Sequence, residues 1–502
     1  MASGAWKSSS RPKPSSATRP PDTGLPDKVS WRRSLALPTE RLHTCRMLRP
    51  AAEPVADIAI VGGGASGVLL AAQLVRKGGL RIALIEHTAQ PALGVAYSTR
   101  CRGHLLNVRA SDMSALADEP DHFVQWLARH GGGLGRHDFA PRADYGRYLQ
   151  DLLAESVRRS EGRLQTVAGE VTALREQADG VEIDIDGRRP LQARTAVLAT
   201  GHRPPSTDSG AYRGNPWRED TIGDLPRDAS ILLIGTSLTM IDVLVSLMER
   251  GHSGPIVALS RRGLVPHCHP AAPIPSPEVE TRELFTGSLS QRTARFRSMV
   301  RHGLGWAGLM QLLRPHNNEL WHGLDHEQRR RFLRHLRPWW DIHRHRVAPQ
   351  IGEIIAAAQA RGQLSILAAK IKVGRTTDHK VDVTIVQRGA ADAERRTFDR
   401  VIDCRGPRNQ VDEGLPLHAQ MVEHGLLRSD PLGQGLDVSE TEALIGRNGK
   451  VSRRLFALGP LTRGRYTEIV AIPDIRLQAA EVAERLMAQL RQPSGLVGGP
   501  VA

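Results

Sequence analysis

The chain is 502 residues long, 40% hydrophobic, and carries a formal net charge of +15. That length suits two or three domains with cores large enough to need no covalent staples, and the single, scattered cysteines Cys45, Cys101, Cys268 and Cys404, with no CxxC pair, argue against a disulfide-exchange centre or a thiolate zinc site. The positive excess is confined to residues 1–50, with ten Lys and Arg against three acids, and residues 282–346, with thirteen Arg against five, so it is no general argument for nucleic-acid binding.

Residues 1–54 are rich in Ser, Pro and Arg and poor in apolar side chains, which predicts a disordered basic tail: ordering the backbone costs roughly 1–2 kcal/mol per residue with little burial to offset it. Three readings compete for this segment, namely a functional tail, a targeting peptide, and an over-extended start with Met47 as the first residue; the last is preferred because Met47 stands shortly before the first apolar strand.

From Asp57 to Glu86 the sequence has the order strand, glycine turn, helix, strand, acid. Ile58, Ile60 and Val61 form a short apolar run of the kind buried on both faces of a parallel sheet. Gly62, Gly64 and Gly67 take the GxGxxG spacing, with Ala65 and Ser66 between the last two. The first glycine permits the tight turn, the second lets a pyrophosphate approach the backbone, and the third lets the helix pack close to the strand. A helix N-terminus offers free N–H groups and a positive dipole end to phosphates. Glu86, 22 residues past Gly64, is placed to accept from a ribose hydroxyl. A membrane helix over Ile58–Val75 is excluded by its crowded glycines, and no other run approaches spanning length, so the chain is read as a soluble, cytoplasmic protein without a membrane partner.

The order then repeats. Residues 164–201 read as strand, hairpin and closing strand, ending at Thr200-Gly201, where backbone comes close to a bound cofactor. A second strand and turn, Ser230 to Gly235 followed by Thr236 and Ser237, opens another helix, and Ile256–Ser260 is the next strand. Residues 364–406 again give strand, hairpin and strand. Two such units predict an α/β fold with two Rossmann-like dinucleotide-binding domains and facing nucleotide sites. Arg261 and Arg262 stand where the first unit has Glu86; guanidinium groups pair with a 2′-phosphate that a carboxylate would repel, so NADPH is expected over NADH. Ser237 replaces the second glycine, and its Cβ predicts looser or differently angled pyrophosphate binding.

Between Pro270 and Ala348 the spacing of Leu333, Leu336, Trp339 and Trp340 predicts a helical insertion within the second unit, a candidate cofactor lid or substrate cap. The RRRFLRHLR run is read as a solvated helix face in preference to a nucleic-acid site. His267-Cys268-His269 reads as a polar loop, and no metal site is expected. The expected division is a basic tail over 1–54, a first dinucleotide domain over 55–228 and 407–490, a second over 229–275 and 349–406, the insertion over 276–348, and a flexible C-terminus over 491–502.

Five segments make the comparison with known proteins more specific: Gly94 to Ala115 (GVAYSTRCRGHLLNVRASDMSA), ILLIGTSLTMIDVLVSL, ALSRRGLVPHCH, RRFLRHLRPWWDIHRHR, and Leu455 to Arg476 (LFALGPLTRGRYTEIVAIPDIR). In these the chain resembles the bacterial FAD/NAD(P)-binding proteins that include flavin-dependent urate hydroxylase, and more distantly the flavin N-hydroxylating and Baeyer-Villiger monooxygenases, whose Phe-x-Gly-x-x-x-His fingerprint between the two units it lacks. The resemblance implies FAD on the first unit, with Gly62, Gly64, Gly67 and Glu86 on its adenosine half, and NAD(P)H on the second. It further implies that Tyr97, Ser98, His104, Leu105, Asn107 and Met113 line the flavin side, that Gly459-Pro460 makes the closing FAD contact, and that Thr467, Glu468 and Arg476 lie in the flavin neighbourhood. The implied activity is an FAD-dependent, NAD(P)H-consuming oxidoreductase in which NADPH reduces the flavin and dioxygen is then activated to hydroxylate a small-molecule substrate. The alternatives are a flavin reductase serving another acceptor and a non-catalytic flavin-binding sensor. Catalytic residues, substrate identity and oligomeric state are not assigned by the sequence.

Overall fold

The computed structural model describes residues 56–491, apart from 131, 202–207, 219, 276, 278, 280–281 and 407–414. The expectations for the N-terminal tail and for residues 492–502 lie outside the described residues, and the last helix, Ile472–Arg491, runs through Arg491.

Among the described residues fifteen strands are formed, in chain order: β1 (Ala56–Val61), β2 (Ile82–Glu86), β3 (Leu164–Ala168), β4 (Val171–Glu176), β5 (Val181–Ile185), β6 (Leu191–Leu198), β7 (Tyr212–Arg213), β8 (Ile231–Ile234), β9 (Ile256–Ser260), β10 (Leu364–Thr376), β11 (Val381–Gln387), β12 (Glu394–Phe398), β13 (Arg400–Asp403), β14 (Ala443–Ile445) and β15 (Val451–Ala457). They make two sheets. The first has the order β14-β15-β6-β1-β2-β3, with the β4-β5 hairpin attached through β5 to β6; the second has the order β12-β11-β10-β9-β8-β13-β7. In each, the strand before the glycine turn lies between the strand that follows its helix and the closing strand, all parallel: β1 between β2 and β6, β8 between β9 and β13.

Period-two alternation explains why these strands read as unbroken apolar runs. Ile58 and Ile60 enter a core with the helices Ala65–Lys77 and Ile472–Arg491, while Ala59 and Val61 enter a second core with the β4-β5 hairpin and Leu417 and Met421. Likewise Ile231 and Leu233 pack with helix Leu238–Glu249, and Leu232 and Ile234 with Val381, Val383 and Ile385. The two units differ in their third strand. In the first, Gly169, at φ +148°, interrupts the chain between β3 and β4; in the second, β10 continues for 13 residues, pairing with β9 through Ala368 and with β11 from Ala369 onward.

Several contacts tie the sheets together. Arg142, at the start of helix Arg142–Arg159, donates to Asp242 Oδ2 at 2.6 Å on helix Leu238–Glu249, and the Glu249 carboxylate accepts from the Gly103 amide at 2.6 Å.

The segment between β9 and β10 is helical, as its periodicity predicts, but broken into short pieces, including Leu289–Met299, Gly305–Leu313, Asn317–His322, His326–Arg331 and Arg337–Arg344. Two of them open with reciprocal capping boxes, Ser288 with Gln291 and Asp325 with Gln328. Its Leu309, Leu312 and Leu313 form a separate apolar cluster, against which Trp340 packs while Trp339 stays 47% exposed. Although it lies in sequence between strands of the second sheet, the insertion bonds to loops of the first. Trp321 Nε1 donates to the Gly464 carbonyl at 3.0 Å, Trp340 Nε1 to Glu468 Oε1 at 2.8 Å, and Arg314 pairs with Asp112 at 2.9 Å. Among the described residues no helix is long and apolar enough to cross a membrane.

Candidate functional site

The first glycine turn has the geometry its spacing predicts. Gly62 sits at φ +107°, and a Cβ there would lie 2.5 Å from the Ala199 carbonyl oxygen at the end of β6. At Gly67 a Cβ would run into the Gly62 carbonyl. Gly64 is different: a Cβ would meet nothing nearer than the Gly94 Cα, at 3.7 Å, so glycine here is not demanded by the protein's own packing. Gly64 is also the N-cap of helix Ala65–Lys77 and supplies no side chain to its first amides. That combination of open space and free helix N–H groups fits a phosphate-bearing ligand. Glu86, at the end of β2, accepts from the Gly63 amide at 2.6 Å and the Thr88 amide at 2.9 Å, so it braces the turn with lone pairs to spare for a ribose hydroxyl. Thr200 lies with its Cα against Gly62, and Gly201 follows at φ +61°. Gly459, at φ +71°, closes over the same turn against the Ser66 side chain, with Pro460 beginning a short 3₁₀ turn, Gly459–Thr462. Ala65 is half-buried beneath them.

The second turn repeats this arrangement. Gly235, at φ +115°, would place a Cβ 2.7 Å from the Cys404 carbonyl at the end of β13, the counterpart of Ala199. Gly406, at φ +82°, corresponds to Gly201. Thr236 is buried, its hydroxyl against Ser260 Oγ at 2.9 Å, and Ser237 is an exposed N-cap without a side-chain cap bond. Arg261 and Arg262 follow β9; neither forms an ion pair or hydrogen bond with a described residue, which leaves both guanidinium groups available to an anion.

The residues of the segment after the first turn are placed as follows. Tyr97 packs against Tyr145 with ring centroids 4.8 Å apart, and burial pushes its phenol well above the usual range. Ser98 is exposed and donates to the Val95 carbonyl. His104 is buried, with Nδ1 against Thr99 Oγ1 at 2.8 Å and Nε2 against both the Asp242 carbonyl and Ser246 Oγ at 2.8 Å, so it is a strut between the two units. Leu105 packs into the core of the second sheet and Met113 into the core of the first, both for the ordinary reason that apolar side chains leave water. Glu468, buried and bonded to Trp340, belongs to the latch that holds the insertion; Arg476 donates to the carbonyl of Ser114 at 3.1 Å. Thr467 is half-buried.

Asn107 borders a cavity of about 200 Å³ formed by the 107–112 segment, residues 269–274, the insertion and residues 343–346. Its carbonyl accepts from or faces His269 Nε2 at 3.0 Å. Burial, reinforced by Arg346, pulls the His269 imidazole down to about 4; burial together with His267 and Arg346 does the same to His343, also to about 4. Four arginines line the space: Arg109, Arg314, Arg344 and Arg346. Sequence reasoning missed this cavity, because its residues are far apart in the chain; the one available signal was the arginine-rich insertion. The His267-Cys268-His269 triplet diverges, with His267 stacked on His343 at 4.6 Å, Cys268 against Gly352, and His269 in the cavity wall.

Residues 59–203 match the family described as FAD-NAD(P)-binding. No curated protein sequence matches the chain at a significant level. Among solved structures, the ornithine hydroxylase of Pseudomonas aeruginosa is similar with a TM-score of 0.60 at 15% identity, over 87% of this chain and all of that one (100%). The L-lysine 6-monooxygenase of Pseudomonas syringae gives 0.59 at 15% identity over 86% and 99%. The ornithine N-hydroxylase of Kutzneria sp. 744 gives 0.58 at 14% identity over 87% and 99%. The fold is that of the two-domain dinucleotide-binding flavoproteins, and the FAD-NAD(P)-binding family model matches within the first unit.

Proposed function

We propose that this chain is an FAD-dependent oxidoreductase that consumes NAD(P)H, and that its reaction is monooxygenation of a small molecule: substrate C–H or N–H, dioxygen, NADPH and a proton give the hydroxylated substrate, water and NADP⁺. The observation that carries the reading is the duplicated turn. Gly62 beneath Ala199 and Gly235 beneath Cys404 each sit at positive φ against the closing strand of a parallel sheet, and each precedes a helix whose first amides no side chain caps. Two dinucleotides are what such a pair accommodates. The structural neighbours named as ornithine hydroxylases and an L-lysine 6-monooxygenase support monooxygenation at the level of fold.

In this reading the open face of Gly64 and the helix behind it hold the FAD pyrophosphate, Glu86 the adenosine ribose, and Arg261 with Arg262 the 2′-phosphate that selects NADPH. Bound FAD supplies two-electron redox chemistry and, when reduced, reactivity toward dioxygen. The chain's share is position and electrostatics: Asn107 holds the wall of the cavity beside the flavin segment, and the insertion, latched through Trp340 and Glu468, forms another side of it. The described cysteines, Cys101, Cys268 and Cys404, are all unpaired, which suits a reducing cytoplasm.

The test is spectroscopic. Protein purified and reconstituted with FAD is expected to be yellow, to lose its flavin absorbance when NADPH is added without oxygen, and to consume NADPH in air faster with a hydroxylatable molecule than without. Protein that stays colourless refutes the reading. A yellow protein that NADPH cannot bleach points to a non-catalytic flavin sensor. Bleaching with no small-molecule stimulation, but rapid turnover with an artificial electron acceptor, points to a reductase.

A further inference from the structure

The cavity beside Asn107 contains a charge with no counterion. Arg346 is only 7% exposed and its Nε donates to the His343 carbonyl at 2.8 Å, but its two terminal nitrogens have no hydrogen-bond or carboxylate partner among the described residues. The other guanidinium groups around the space have carbonyl or carboxylate neighbours, those of Arg344 at ion-pair distance and without a hydrogen bond from its Nε or Nη2. Arg109 donates to the carbonyls of His137 and Pro270, Arg314 pairs with Asp112 at 2.9 Å, and Arg344 lies 3.3 Å from Glu468 and 3.9 Å from Asp474. The Arg346 side chain is largely buried while its terminal nitrogens face the cavity, where an anion can take the place of water. With Arg344 close by and no acid of its own, Arg346 is a site waiting for an anion supplied from outside.

The rest of the wall limits what the anion is attached to. Ile274, Ala307 and Met310 are apolar, Asn107, Ser111 and Gln311 are polar, Asp112 is taken up by Arg314, and the neutral His343 ring is stacked against Trp306 at 4.2 Å. The volume of about 200 Å³ equals about seven water-sized volumes, enough for a molecule of benzoate size and too little for a nucleotide. One unpaired guanidinium matches one carboxylate, in the bidentate geometry that arginine favours.

We propose that this cavity is the substrate pocket and that its substrate is a small molecule bearing a single carboxylate, held by Arg346. The role as substrate rests on the oxidoreductase reading; the binding of a carboxylate does not.

Calorimetric titration of the purified full-length protein with benzoate and, separately, with its uncharged counterpart benzamide tests the proposal without any variant. Benzoate is expected to bind about tenfold tighter or more, the gain of a charge-assisted hydrogen bond over a neutral one. Arg346→Gln is expected to bring benzoate down to the benzamide level, Arg346→Lys to fall between, and Arg261→Ala with Arg262→Ala to leave benzoate binding unchanged, which locates the site. Equal binding of the two probes, or no binding of either, overturns the proposal, as does a folded Arg346→Gln protein that binds benzoate as the wild type does. Should Arg346→Gln fail to fold, the wild-type comparison decides. The same preparation, reconstituted with FAD and treated with NADPH, separates the two conclusions: benzoate preference without bleaching retains the carboxylate site and removes the oxidoreductase role, whereas bleaching without benzoate preference does the reverse.

Discussion

Gly62 and Gly64 are two residues apart in one turn, yet the structure assigns them opposite sensitivities. Alanine at Gly62 would hold a side chain at φ +107° and place Cβ 2.5 Å from the Ala199 carbonyl oxygen, a backbone atom that cannot swing away. Unfavourable φ costs about 1–3 kcal/mol and forced overlap a further ~1–3 kcal/mol, so the apoprotein should lose about 3 kcal/mol or more. Alanine at Gly64 keeps a relaxed φ of −71° and meets only the Gly94 Cα at 3.7 Å. Its penalty in the apoprotein is that of a poorer N-cap, about 1 kcal/mol or less. The ranking reverses for cofactor affinity per folded molecule, because the Gly64 methyl occupies the space a pyrophosphate needs. Urea unfolding of the two apoproteins, followed by FAD titration monitored through flavin fluorescence, measures both quantities. The reasoning is refuted if Gly64→Ala unfolds as readily as Gly62→Ala, or if it retains wild-type affinity for FAD.

The paired substitution Arg261→Ala with Arg262→Ala should raise KM for NADPH by about tenfold or more, the value of a charge-assisted phosphate contact, while KM for NADH changes little; equal losses would remove the 2′-phosphate assignment. Asp242→Asn leaves Arg142, whose side chain is 14% exposed, without its counterion and should cost about 3 kcal/mol in urea unfolding, and a loss below ~1 kcal/mol would show the pair to be dispensable. His269 is held neutral in the fold, its pKa pulled down to about 4 by burial and the neighbouring Arg346, Arg109 and Arg344, whereas the unfolded chain binds its proton near the ordinary value of about 6.5. The stability associated with the neutral ring is therefore complete above about pH 6.5 and is lost as pH falls toward 4. Thermal melting between these limits should decline less steeply in His269→Asn than in the wild type, and identical slopes would contradict the assignment.

The parts of this protein that the sequence made legible are those governed by local rules. Gly62, Gly67 and Gly235 announce themselves because each position excludes a side chain for a reason internal to strand, turn and helix, and β1, β8 and their neighbours because a doubly covered strand must be apolar throughout. The flavin-side segment was less legible. The family resemblance grouped His104, Leu105 and Met113 with Asn107 but carried no information on which way each side chain points; the chain turns there between two cores, so Leu105 enters one, Met113 the other, and His104 bridges to helix Leu238–Glu249. The cavity was invisible for a further reason. Arg109, His269 and Arg346 meet only because the insertion folds back from the second sheet toward loops of the first, through bonds such as Trp321 to Gly464 that span 143 residues of chain.

The double grip of Glu86 on the amides of Gly63 and Thr88 has a kinetic corollary. A loop already pinned in its working shape gives up little conformational freedom on complex formation, so association at the first unit should proceed in a single step whose rate rises linearly with ligand concentration, with no slow ordering phase behind it. Severing that grip with Glu86→Leu would loosen the receptor before any ligand arrives, and a lag in the stopped-flow trace would be its signature.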